Sequence, residues 1–102
     1  MRKSSFKEVT IKLPTDLVET FSNKEILSMM KGNALSKAEY YRSRCKEFEE
    51  RYTMGLGSFR KKVEGGKEEN FVEWDDLIVW EGFELGYKEW QKKYRELKAC
   101  MK

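Results

Sequence analysis

From Leu27 onward the apolar positions fall at Leu27, Met30, Ala34, Ala38, Tyr41, Cys45, Phe48 and Tyr52, three or four residues apart throughout. That spacing draws one buried stripe along a helix. A second series, Trp80, Phe83, Tyr87, Trp90, Tyr94, Leu97 and Met101, alternates steps of three and four, which is the spacing of a heptad seam. Trp74 with Leu77 or Ile78 extends it backwards, so that Trp74 and Trp80 are expected in the core. Asn70 stands as its cap with Glu73 three residues on. Carboxylates crowd its start, and Lys92, Lys93, Arg95 and Lys98 crowd its end, complementing the helix dipole at both termini. A helix from about residue 71 to 100 is about 45 Å long at ~1.5 Å per residue.

The pattern before these stripes is different. "VTIKL", Val9 to Leu13, alternates β-branched and polar residues and predicts a short strand, which a second copy of the chain would have to pair. Pro14 ends it, and Thr15 and Asp16 open a short helix reaching about Phe21. "SNKE", Ser22 to Glu25, has the form of a capping box and starts another helix. Gly32–Asn33 then offers a break, with Ser36 and Glu39 as a second capping box. "TMGLGS" is a turn, and "SFRKKV" predicts a small helix capped by Ser58 and ended by Gly65–Gly66. The expected fold is mainly α: a short N-terminal β-strand followed by an antiparallel helical hairpin with a small connecting helix. It divides into a strand–helix head over 1–35 and the hairpin over 36–102.

In the hairpin Tyr52 faces the region of Phe71, Cys45 faces about Ile78, and Cys100 faces about Asn23. The two thiols are then too far apart for an intrachain disulfide. The same register leaves one alternative open. If the first hairpin helix begins at Ser36, its partner is covered only as far as Tyr87, and Trp90, Tyr94, Leu97 and Met101 face outward toward a partner protein. If it runs through Gly32, at a cost of about 1 kcal/mol, the whole seam is covered.

At 102 residues and 38% charged, with a single proline, the chain is one domain of solvated helices with no room for a second core. The net charge of +3 is weak, but its layout is basic, acidic, then basic along the chain, which suits internal pairing or an acidic partner as well as DNA. No run approaches the length of a signal peptide or membrane span, so a cytoplasmic location with reduced thiols is the default expectation. Histidine is absent, which removes the commonest general base and metal ligand. Asp75–Asp76 diverge by about 100° on a helix, and Glu81 with Glu84 lacks the histidines of a helical di-metal site. No cofactor, metal or catalytic residue is therefore expected, and the protein reads as a non-enzyme.

Two strands paired across a dimer make a ribbon that fits the major groove. Arg2, Lys3 and Lys7 would then approach phosphates, the helix start at Ser22 would hold another, and Thr10 and Lys12 would face outward. Glu8 on the same face opposes this, and an edge strand used for dimerisation alone explains the pattern equally well.

The order "VTIKLPTDLVETFSNKEILSMM" resembles the strand–helix–helix head of ribbon-helix-helix proteins. "YYRSRCKEFEERYTMGLGSFRKKVEGGKEENFVEWDDLIVWEGFELGYKEW" is similar to the tails of small type II antitoxins, in which an "FE-x-x-Y-x-M" turn, a short helix and an acidic "W-D/E" helix recur. The first helix is shorter than that family's, and the Gly32–Asn33 break falls where its second helix continues. The resemblance implies a homodimer whose head represses its operon, with Thr10 and Lys12 as operator readers. It implies a tail from Phe48 onward that sterically masks a partner toxin, commonly an RNase. The reading from another class is a dimeric transcriptional regulator whose hairpin serves assembly only.

Overall fold

The computed structural model describes residues 6–66 and 70–100. Among them the chain is mainly helical, with α1 over Thr15–Thr20, α2 over Asn23–Tyr52, α3 over Leu56–Glu64 and α4 over Phe71–Cys100. The long helices α2 and α4 pack on one another, and α3 packs against α4 beside the turn that joins them.

The expected strand at Val9–Leu13 is not formed: residues 6–14 have no regular secondary structure, and no described residue is in a strand. A single strand leaves its N–H and C=O groups without partners, and this chain supplies no second one. Every residue from Phe6 to Ile26 is exposed, so the arm and α1 stand clear of the hairpin core.

Gly32 does not break the helix. α2 is continuous across it and across the expected boundary between residues 35 and 36. Its start is the first capping box: Ser22 Oγ accepts from the Glu25 N–H at 3.1 Å, and the Ser22 N–H donates to Glu25 Oε1 at 3.3 Å. Ser36 of the second candidate box lies inside the helix. At the far end Thr53 takes the left-handed conformation, φ 53°, which turns the chain toward α3 in the way a C-terminal cap does. α3 starts from Gly55 rather than from Ser58, and the Asn70 side chain accepts from the Glu73 N–H at 3.2 Å to cap α4.

The core is a small, aromatic cluster at the turn end of the hairpin. Cys45 and Phe48 from α2, Phe59 and Val63 from α3, and Leu77 and Trp80 from α4 close on one another, with Tyr52, Met54, Leu56 and Phe83 packed around them. Phe48 stacks on Trp80 at 5.5 Å between ring centroids, and Phe59 lies 5.4 Å from the same indole. Away from the turn, Ala34 and Ala38 are the buried residues of α2, so the stripe narrows to small side chains where the large rings of α4 come across.

Two glycines of these helices differ in what surrounds them. A Cβ on Gly32 would meet nothing within 4 Å, whereas one on Gly86 would lie 2.8 Å from the Tyr41 ring. Gly32→Ala should raise stability by roughly the ~1 kcal/mol helix-propensity difference. Gly86→Ala should lower it despite the same gain, because the ring has to move. Urea denaturation of the two variants beside the wild type measures both signs.

Candidate functional site

Three of the four expected partner-binding residues at the end of the seam are partly covered. α2 runs through Gly32, and Trp90, Tyr94 and Leu97 are half-buried rather than open. Lys37 of α2 places its ammonium 4.5 Å from the Trp90 ring centroid, and Lys93 approaches the same ring at 5.0 Å. Met101 lies outside the described residues.

The outward apolar surface of the aromatic helix is at its other end. Trp74, expected in the core with Trp80, is 37% exposed, whereas Trp80 is fully buried. The physical reason is angular. Leu77 and Trp80 point into the cluster with α2 and α3, and Ile78 is turned by about 100° from Leu77. Phe71, Ile78 and Leu85 are 72%, 63% and 68% exposed, and Val72 and Val79 are exposed beside them. Phe71, Trp74, Ile78 and Leu85 thus form a ridge along α4, with Gly82 as a gap between Ile78 and Leu85; a Cβ there would meet no atom within 4 Å. The signal for this ridge was present in the sequence as a second helical series, offset from the buried one. It is weaker, because a glycine interrupts it.

Three carboxylates of α4 are tied to α2 and α3. Lys62 Nζ lies 3.1 Å from Glu73, Arg51 donates to Asp76 at 3.1 Å, and Arg60 Nε meets Glu81 at 2.7 Å. Tyr52 Oη also donates to Asp76. Each pair joins α4 to α2 or α3, so the acidic start of the helix is spent on holding the turn end together. The pairs are partly exposed and individually weak, but they leave the ridge without a strong rim of one sign. A cleft of about 670 Å³ adjoins the end of the ridge, lined among others by Glu49, Arg60, Glu84, Leu85 and Lys88. Among the described residues no group of three or more His, Cys, Asp or Glu is disposed to hold a metal ion. No described helix is long and apolar enough to cross a membrane. No family model, curated protein or solved structure matches the chain.

The candidate DNA-contacting residues are dispersed along the arm. Lys7, Thr10 and Lys12 are exposed on a segment without strand pairing, as is Glu8. Arg2 and Lys3 lie outside the described residues. Ser22 is occupied: its hydroxyl serves the capping box, and the Glu25 carboxylate stands at the start of α2, where a phosphate would otherwise approach.

The cysteines are free, Cys45 buried and Cys100 exposed. Burial, with the Glu84 carboxylate adding to it, pushes the Cys45 thiol from its ordinary 9.0 up to about 11. Burial and the hydrogen bond to Asp76 push Tyr52 from 10.0 to about 12. Both groups are held in their protonated forms, so the unfolded chain releases these protons first as pH rises. Stability is then fully present below about pH 9 and falls through the window from 9 to 12. Cys45→Ala should remove the thiol's share, so its stability difference from the wild type should be constant below pH 9 and shift above it. An aromatic disulfide reagent should titrate one thiol, Cys100, in the folded chain and two after unfolding.

Proposed function

We propose that this chain is a non-enzymatic, antitoxin-like protein that binds a partner toxin through the outward face of α4 and neutralises it by covering its substrate surface. The observation that carries this reading is the ridge of Phe71, Trp74, Ile78 and Leu85, left exposed on a helix whose other face is fully used. An amphipathic helix that already has a packed side presents such a ridge to a groove at little ordering cost, since the helix is formed before binding. Large aromatic anchors are the residues on which interface energy concentrates. The arm from Phe6 to Leu13, with Val9, Ile11 and Leu13 exposed, serves dimerisation by pairing with its counterpart in a second copy.

The test is capture of the product of the neighbouring reading frame by the tagged full chain. Ile78→Lys should weaken capture by about 30-fold or more, the scale of a hot-spot loss of ~2 kcal/mol, and should leave the helical content unchanged because residue 78 touches solvent. Equal capture by the wild type and Ile78→Lys removes the ridge from the reading. The regulator alternative is favoured by one observation, the exposure of Lys7, Thr10 and Lys12 on the arm. If it holds, Lys12→Glu abolishes specific binding to the upstream duplex, and the wild type captures no product of the neighbouring reading frame.

A further inference from the structure

We infer that, when no partner protein is bound, the α4 ridge is closed by the ridge of a second copy in an antiparallel, two-fold helix pair centred on Ile78. This rests on the proposed use of the ridge for its identity as a docking face, but not for its self-complementarity, which follows from the residues themselves. Phe71, Trp74, Ile78, Gly82 and Leu85 are separated by three, four, four and three residues. The series is the same read in either direction from Ile78. An antiparallel two-fold pairing reverses the direction of one helix, so such a series meets itself in register. Phe71 of one copy then lies against Leu85 of the other, Ile78 against Ile78, and Trp74 against Gly82.

The last pairing is the informative one. Trp74 is the bulkiest side chain of the ridge, and Gly82 is its one gap, with open space where a Cβ would stand. Knob and hole therefore occur at symmetric distances from the centre, four residues to either side, and a two-fold axis brings each knob to a hole. Area agrees with this occupant. The six exposed side chains Phe71, Val72, Trp74, Ile78, Val79 and Leu85 amount to several hundred Å². That is the scale of the largest patch on a typical monomer, ~300–600 Å², which is often an interaction site, and it approaches the ~800 Å² that one partner contributes to a stable interface. Charge permits it as well. The pairing brings Asp75 near Glu81 of the other copy, and that carboxylate is already neutralised by Arg60 at 2.7 Å. A partner toxin and a second copy then compete for one face, so self-association sets the threshold that a partner must exceed.

The experiment measures the full chain without any partner protein, by sedimentation velocity across a concentration series. Gly82→Leu puts a side chain in the hole where a Cβ meets no atom of its own chain within 4 Å, and improves helix propensity. It should keep or raise the melting temperature yet weaken ridge association by tenfold or more. Ile11→Lys, in the arm, should leave ridge association intact, so that association through the arm is counted separately. Register is read in a Cys100→Ala background, in which Ile78→Cys should form a disulfide-linked pair on mild oxidation. Leu85→Cys should do so only when mixed with Phe71→Cys. Unchanged association of Gly82→Leu, or linkage of Leu85→Cys with itself as readily as Ile78→Cys, overturns the proposal. Because no toxin is present, neither result bears on whether the ridge captures one. Failure of the wild type to capture the neighbouring product, with ridge association normal, overturns the proposed function and leaves this pairing standing.

Discussion

Trp80→Ala is expected to unfold the hairpin at its turn end, with a loss of about 3–5 kcal/mol. Trp80 is fully buried, and three helices meet on its indole: Phe48 from α2 stacks at 5.5 Å, and Phe59 from α3 lies at 5.4 Å. The cluster around it holds only a handful of buried side chains, so there is little else to absorb the cavity, and a small domain has roughly 5–15 kcal/mol in total. Its indole N–H is buried without a hydrogen-bond partner in the protein. Trp80→Phe therefore removes volume but breaks no hydrogen bond, and should cost much less than the alanine change. Chemical denaturation followed by circular dichroism and by fluorescence gives both numbers. A loss below 1 kcal/mol for Trp80→Ala would contradict this account of the core.

Gly32→Pro should have the second largest effect, of about 3 kcal/mol or more. Proline at this position removes the N–H that donates within α2 and sets its ring against the Ser28 carbonyl one turn earlier. The part of α2 before it is then less than three turns long, too short to persist by itself. Lys37 lies beside Trp90 and Tyr41 beside Gly86, so the antiparallel register sets the residues around Gly32 opposite Tyr94 and Leu97, which are half-buried. Residue-resolved hydrogen exchange should therefore show faster exchange both in residues 23–31 and in the last turn or two of α4, with the Trp80 cluster still protected. Gly32→Ala at the same site should do the opposite, since the space around it is open. The pair of variants separates the effect of backbone continuity from that of any side chain added there.

The helices and their pairing were legible from spacing. The stripe from Leu27 to Tyr52 lies along α2, with only Met30 of its members exposed, and the seam from Trp80 to Leu97 is buried or half-buried throughout. The expected register is displaced by a little over one turn: spacing sets Tyr52 against the region of Phe71, and it bonds Asp76. Asn70, Ser22 and Glu25 cap as their types predict. The failures have distinct causes. "VTIKL" has strand composition, but strand formation depends on a partner's backbone, which local sequence does not contain. Trp74 has the hydrophobicity of a core residue, but which face of α4 is inward at that level is set by how α3 and α2 converge on Leu77 and Trp80.

What the sequence determined by itself is therefore local and periodic: which segments are helical, where they are capped, and that the two long ones carry matched apolar stripes. Periodicity and capping need only neighbours three or four residues away. Only the tertiary structure decided that α2 persists through Gly32, since a glycine's cost of about 1 kcal/mol is offset by packing against α4 that no local window contains. That outcome carries α2 along the last turns of α4, while the crossing at the turn leaves Trp74 and Ile78 exposed on the aromatic helix.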